Sequence, residues 1–198
     1  MFIEGKKVIL RDFIESDIDD RILWETVEKE WQDWDALWKR DEDNFNVEAY
    51  IERKIKYLSN RVDNDKLRYG FEICIRENNK HIGWINAYLT DNDYNFSHKG
   101  TNFTIGIAIP PLSERGKGYA TDSWVTYIKY LIKNGIYDIY TQTWSGNFRV
   151  LGLISKLGFT EINREIECRE VNKKLYDGLT FKLNIEHYKK FCDEYLSY

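Results

Sequence analysis

An extended apolar run, Phe103 to Ile109, gives way through Arg115-Gly116-Lys117-Gly118-Tyr119-Ala120-Thr121 to a stretch of helical periodicity. This strand-to-helix turn constrains the fold more than any other part of the chain. Two glycines in three residues permit tight backbone curvature and leave amide N–H groups uncovered. The following helix adds its unpaired first-turn N–H groups and the positive end of its dipole. Together they make a seat for a phosphate or pyrophosphate, although a purely structural turn uses the same glycines. Two well-known phosphate motifs do not fit. Nothing supplies the spacing G-x-x-x-x-G-K-[ST], and Thr121 stands where a dinucleotide fingerprint requires its third glycine.

The rest of the chain reads as a succession of short elements. Lys7 to Phe13 is a first strand, and Ser16 starts a helix with Asp19 in a capping-box-like position. A Trp-rich segment follows, from Trp24 to Trp38. Asn46 caps a second helix whose apolar positions are Val47, Ile51, Ile55 and Leu58. Phe71 to Ile75 alternates as a strand, Asn78-Asn79-Lys80 turns the chain, and His81 to Leu89 returns. Asp91 to Gly100 is a polar loop. Phe103 to Ile109 is a strand that Pro110-Pro111 ends by removing two donors. After the glycine turn, Ala120, Trp124, Ile128, Leu131 and Ile132 share a helix face that Asn134-Gly135 stops. Ile136 to Thr143 is the next strand, and Asn147 to Leu157 is a helix with Gly158 at its C-cap. Glu161 to Glu170 and Leu175 to Leu183 form a hairpin around Asn172-Lys173. On the first arm Ile162, Ile166 and Cys168 share a face; on the second, Leu175, Leu179, Phe181 and Leu183 do.

At 198 residues the chain is long enough for one α/β domain with a substantial core, and no linker or repeat divides it. Its net charge of −4 argues against a nucleic-acid partner, which selects a basic face. No apolar run approaches membrane-spanning length and no signal-peptide pattern opens the chain, so the expectation is a cytoplasmic protein without a membrane partner. Cys74, Cys168 and Cys192 are odd in number and lack C-x-x-C spacing, which reads as free thiols, with Cys74 and Cys168 buried. His81, His98 and His187 are scattered, and no metal site is expected.

Arg115, Gly118 and Ala120 spell R-x-x-G-x-A, which resembles the acyl-CoA loop of the GNAT N-acetyltransferase superfamily. Downstream, Asn147 to Phe159 resembles that superfamily's Asn-led helix, which ends in Lys-x-Gly-Phe, here Lys156 to Phe159. The resemblance covers nearly the whole chain. It implies an α/β (α+β) fold, with a mixed, mostly antiparallel central sheet flanked by helices, in a single domain over residues 1–198. Tyr176-Asp177-Gly178-Leu179-Thr180 looks most like the ribosomal-protein (RimJ/RimL-like) branch.

The activity so implied is transfer of an acetyl group from acetyl-CoA to a primary amine, either a protein N-terminus or a small molecule, by a monomer or homodimer. Backbone N–H groups of Arg115, Gly116, Lys117, Gly118, Tyr119 and Ala120 would hold the pyrophosphate. Thr121 would add a hydroxyl, and the side chains of Arg115 and Lys117 either add charge or point to solvent. Main-chain groups of Ile107 and Ile109 would pair with pantetheine as with a short strand. Asn147 would bond the cofactor, cap its helix, or do both. By the same resemblance, Trp24 to Trp38 would line the acceptor side; the plain alternative is an amphipathic helix with Trp inward.

The sequence departs from the family at the proton-handling positions. Ile154 stands where many relatives have a Tyr, Val150 where the branch often has a Ser, and Thr104 where it usually has a Glu. Substitute catalytic groups are Asp33 and Asp35, Tyr88 and Asp91, or Tyr176 and Asp177. The missing acid and base keep open a non-catalytic CoA-binding protein, a sensor or assembly partner.

Overall fold

The structure is a computed structural model that describes residues 1–35, 45–61 and 67–197. Among these, eight strands form one sheet in the order β1-β2-β3-β4-β5-β6-β8-β7. The strands are β1 (Phe2–Glu4), β2 (Val8–Arg11), β3 (Gly70–Ile75), β4 (His81–Thr90), β5 (Asn102–Ala108), β6 (Ile139–Trp144), β7 (Phe159–Val171) and β8 (Lys174–Leu183). The helices are α1 (Asp17–Thr26), α2 (Val47–Asn60), α3 (Tyr119–Lys133), α4 (Phe148–Lys156) and α5 (Ile185–Ser197). All neighbouring strands pair antiparallel except β5 and β6. The expected mixed, mostly antiparallel sheet with flanking helices is what forms. No helix among the described residues is long and apolar enough to cross a membrane.

The main core joins the sheet to α3 and α4. Leu10, Ile73, Ile85, Ile105 and Ile139 meet Trp124, Ile128 and Leu131 of α3 and Ile154 of α4. A second cluster of Phe13, Ile18 and Tyr50 holds α1 to α2. In α2, Tyr50 takes the buried position, and Ile55, expected inside, is half exposed. Asn46 caps α2 as expected, accepting from the Ala49 N–H at 2.9 Å. Ser16 does not cap α1. Asp17 does the local work instead, accepting from the Ile14 N–H at 2.8 Å and from both terminal nitrogens of Arg11 at 2.6 Å.

β3 was expected to alternate, yet both its faces are covered. Glu72 tolerates burial because Arg21 donates to it at 2.9 Å and a His81 ring nitrogen lies 2.8 Å away. The other ring nitrogen of His81 faces Asp20 at 2.9 Å and Asp17 at 3.4 Å. The structure therefore gathers Asp17, Asp20 and His81, where the sequence showed only scattered histidines. Arg11 pairs with Asp17 and Arg21 with Glu72, which balances two of the three carboxylates. Burial opposes the charge on Asp17, but Arg11, the Ile14 N–H and His81 outweigh it and hold its carboxyl below the usual range.

The terminal hairpin forms around Asn172 and Lys173, whose φ values of 50° and 62° match a tight primed turn. On the second arm Leu179, Phe181 and Leu183 are buried as a face, as expected, with Leu175 exposed near the turn; the apolar face of the first arm does not form. Register shifts at Glu161/Asn163 and Glu165/Arg169 break the alternation of β7. Ile162, Ile166 and Cys168 are consequently exposed, while Cys74 and Cys192 are buried. β6 begins at Ile139, three residues later than the apolar run that starts at Ile136.

Two elements were not anticipated. β1 is an edge strand on β2. α5 begins at Ile185 after Asn184, whose side chain accepts from the His187 N–H at 3.0 Å, and it buries Tyr188 and Cys192. The Asn cap and the helical spacing of Ile185, Tyr188, Cys192 and Tyr195 were the available signals.

Asp122, in the first turn of α3, ties these additions to the glycine turn. Its buried carboxylate accepts from the backbone N–H groups of Lys6, Lys7 and Val8 at 3.1, 2.6 and 2.9 Å and from the Tyr195 hydroxyl at 2.9 Å.

Asp122→Ala is expected to lower the unfolding free energy by about 3 kcal/mol, because it strands the buried Val8 N–H and three part-buried donors. A urea-denaturation loss under about 1 kcal/mol would contradict this. The carboxyls of Asp12, Asp17 and Glu72 are all held below their usual values against the opposing effect of burial. Depressed folded-state values stabilise above the unfolded pKa and lose that contribution as pH falls through the folded values. The urea midpoint should therefore be flat from pH ~7 to ~5 and fall below about 4. Asp17→Asn should shallow the acid slope; an unchanged slope would exclude this network as its source.

Candidate functional site

The parallel strands β5 and β6 pair only at Phe103–Ile139 and Thr104–Tyr140. Just beyond, the Thr141 hydroxyl donates to the Ile105 carbonyl at 2.9 Å. From there β6 follows β8, pairing with it through Trp144, while β5 stays on β4 through Ala108. The sheet therefore opens as a V, and the β5 edge from Gly106 onward has no strand partner on the β6 side among the described residues. Such an edge accepts an extended ligand that carries its own amides.

A cavity of about 1140 Å³ occupies the V and continues over the glycine turn. The turn is built as its residues require. Gly116 and Gly118 have φ of 76° and 86°, the left-handed region that favours glycine. The first helical bond of α3 runs from the Asp122 N–H to the Gly118 carbonyl at 3.1 Å. The amides of Tyr119, Ala120 and Thr121 are thus first-turn donors without a helical acceptor.

Nine of the ten residues expected at the cofactor line this cavity: Ile107, Ile109, Arg115, Gly116, Gly118, Tyr119, Ala120, Thr121 and Asn147. Lys117 does not line it, and its ammonium donates to Glu114 at 2.8 Å. Together Lys117 and Lys80 hold the Glu114 carboxyl low, at about 2.

The Arg115 side chain is neither free nor in open solvent. It donates to the carbonyls of Ile109 and Pro110 at 2.7 and 2.8 Å and to the Glu30 carboxylate. Glu30 also pairs with Arg149 at 3.0 Å and accepts from the Trp34 indole at 2.9 Å. Burial would raise its carboxyl, but the Trp34 N–H, Arg115 and Arg149 bring it below its usual value. Asn147 is occupied at both ends of its amide: Oδ1 accepts from the Val150 N–H at 3.2 Å, and Nδ2 donates to the Trp34 carbonyl at 2.6 Å.

A cation at the turn that the sequence reading missed is Lys7. Its ammonium donates to the Lys117 carbonyl at 2.8 Å, and a Cβ placed on Gly118 would lie 3.2 Å from it. No local motif signals this contact, because the two residues are 110 apart.

The other candidates separate. Trp31, Trp34 and Asp35 line the cavity from a 3-10 turn over Lys29–Trp34, not from an amphipathic α-helix. Trp24 stacks inside on Trp84; Trp38 lies outside the described residues. Asp33, Tyr176 and Asp177 do not line the cavity. Tyr176 packs on Trp144, and the Asp177 carboxylate accepts from Arg164 at 2.5 Å and from the Glu167 N–H at 3.0 Å. Asp91 closes its own loop by accepting from the N–H groups of Asp93 and Asn95.

Tyr88 lines the cavity, and its hydroxyl donates to Gln142 Oε1 at 3.0 Å. Burial first, and then the charge of Asp35, push its phenol up to about 12. Ile154 is buried core, and the Thr104 hydroxyl lies 3.3 Å from that of Thr90.

Residues 7–160 match the family model described as "Acetyltransferase (GNAT) domain". No curated protein sequence gives a significant match. Among solved structures, an acetyltransferase (GNAT family) from Bacillus anthracis superposes with a TM-score of 0.65 at 19% identity, over 94% of this chain and 99% of that one. The spermidine N-acetyltransferase from Vibrio cholerae, solved with CoA and spermine, gives 0.68 at 16% identity, over 93% and 99%. The ribosomal-protein-S5-alanine acetyltransferase from Vibrio fischeri gives 0.67 at 16%, over 92% and 95%. At these identities the likeness is one of fold.

Arg115→Ala is expected to cost about 2–3 kcal/mol of stability, because it leaves the Ile109 and Pro110 carbonyls without their donor and takes one of three partners from Glu30. Lys117→Ala, which removes a half-exposed ammonium and leaves the buried Glu114 paired with Lys80, should move the urea midpoint far less. Equal effects from the two substitutions would show that Arg115 does not lock the turn.

Proposed function

This chain belongs to the acetyltransferase (GNAT) family, and from that premise we propose that it transfers an acetyl group from acetyl-CoA to a primary amine by direct attack in a ternary complex. One observation carries the reading: a single cavity joins the unpaired β5 edge to the donor-rich start of α3. Pyrophosphate suits the second and an amide-bearing arm suits the first.

In this reading the amides of Gly116 to Thr121 hold the pyrophosphate, and Lys7 steadies the turn through the Lys117 carbonyl. The main chain of Ile107 and Ile109 aligns pantetheine, and an amide beside the thioester oxygen stabilises the developing oxyanion. Arg115, Glu30 and Asn147 act as braces of the turn and of the Trp31–Trp34 wall. Alignment of amine and thioester supplies much of the rate.

The acceptor enters over Trp34, Asp35 and Tyr88. With Ile154, Val150 and Thr104 at the usual proton-handling positions, an amine that is already partly neutral is favoured. An α-amine of pKa about 8 is roughly 20% neutral near pH 7.4, against ~0.1% for a lysine-like amine. Protein N-termini and aminosugar amines fit this, in line with the RimJ/RimL-like hairpin sequence Tyr176 to Thr180. Those same three residues favour a second reading, a CoA-binding protein without transfer. Thiol release from acetyl-CoA across a panel of amines separates the two, since binding without release by any amine would select the second.

Acetyl-CoA at about 100 times its dissociation constant should add roughly 2.7 kcal/mol, a melting shift on the order of 5–10 °C for a chain of this size. Gly118→Val should weaken binding at least about tenfold, because the side chain strains a left-handed position and crowds Lys7 and the pyrophosphate. Lys117→Ala should weaken it far less. A flat melting curve in millimolar acetyl-CoA would overturn the cofactor assignment.

A further inference from the structure

We propose that Tyr88 is a catalytic residue of the transfer step: its hydroxyl hydrogen-bonds the CoA sulfur as the carbon–sulfur bond breaks and stabilises the departing thiolate. The inference rests on the acetyl-CoA reading above.

Its basis is where the phenol lies. Tyr88 sits opposite Thr104, the last residue of β5 to pair with β6. Its hydroxyl reaches Gln142, two residues beyond Tyr140, the last residue of β6 to pair with β5. The side chain therefore spans β5 at the root of the V. Strand alternation and register put Tyr88, Thr104 and Gln142 on one face, opposite the face of Ile105 and Ile139 that packs on α3. A cofactor anchored by pyrophosphate at the glycine turn, beyond the C-terminal end of β5, extends its arm back along Ile109 and Ile107. Its sulfur then comes to the root of the V, where Tyr88 lies.

The hydroxyl is held there with its hydrogen directed. Gln142 Nε2 donates to the Tyr94 carbonyl at 2.8 Å and to the Thr180 hydroxyl at 3.2 Å. A carbonyl can only accept, so Nε2 must face Tyr94 and Oε1 must face Tyr88. The phenol is thus the donor to a neutral amide oxygen. A thiolate that forms within reach is the stronger acceptor because it is charged, and the O–H turns to it.

Magnitudes decide between donating a hydrogen bond and donating the proton. The phenol is raised to about 12. An ordinary thiol titrates near 8.5, so outright transfer from Tyr88 to sulfur is disfavoured by roughly three thousandfold. Tyr88 keeps its proton throughout. The amine nitrogen forms the C–N bond, and the C–S pair departs with sulfur. The proton released by that nitrogen is the one that ends on the thiol.

Tyr88→Phe keeps the ring that packs near Phe96 and removes only the oxygen. The measurement is the ultraviolet absorbance of the thiolate of bound CoA as a function of pH, in wild type and variant. The bound thiol should titrate at least about one unit lower in wild type, a tenfold difference, with affinity for acetyl-CoA unchanged within about threefold. Coincident titrations with CoA bound to both proteins would overturn the inference and leave the cofactor reading standing. Failure of wild type to bind CoA would overturn both. If the variant does not fold, the wild-type complex with CoA decides. A sulfur-to-Oη separation within about 3.6 Å supports the inference, and one beyond about 5 Å overturns it.

Discussion

Two residue pairs, Phe103 with Ile139 and Thr104 with Tyr140, join the antiparallel β1–β5 half of the sheet to the β6-β8-β7 half. Everything of functional interest follows from how short that junction is. One pair more would close part of the ladder that β5 now leaves open. With none, the halves would be held by the core beneath them, where α3 and α4 pack Trp124, Ile128 and Ile154 across both, and by side-chain bonds such as Tyr88 to Gln142. The junction fixes where the V begins and so how deep a ligand's arm can reach. Thr141 reinforces it by donating to the Ile105 carbonyl.

The glycine turn is braced by side chains from distant parts of the chain. Asp122 grips the turn between β1 and β2, Lys7 reaches from there to the Lys117 carbonyl, and Arg115 binds the end of β5 to Glu30. A turn held by such braces needs little reordering when an anion arrives. That is the usual physical source of affinity in a preorganised site. The acceptor side depends on the same braces, because Glu30 and Asn147 also hold Trp34.

The parts of this arrangement that local chemistry dictates were legible in the sequence. The glycines at 116 and 118, the Asn caps at 46 and 147 and the Asn172-Lys173 turn are each set by backbone conformation. What was not legible depends on residues far apart. Arg115 and Glu30 are 85 positions apart, and Tyr88 and Gln142 are 54. The sequence left the Arg115 side chain between charge for the cofactor and open solvent, because a motif says nothing about a carboxylate packed beside it. The β7 face was misread because two register shifts break a period of two. β3 read as alternating because Glu72 looks like a surface residue until Arg21 and His81 cover it. α5 was missed although its Asn184 cap was in plain view.

Backbone amide hydrogen exchange, with and without saturating acetyl-CoA, reads the cradle directly. Protection should appear at the amides of residues 105–109 and 116–121, while β2 and β3 stay as they are. Saturating acetyl-CoA that leaves those two segments unprotected, or that protects a different face of the sheet, would contradict the assignment of the open β5 edge and the start of α3 as the cofactor site.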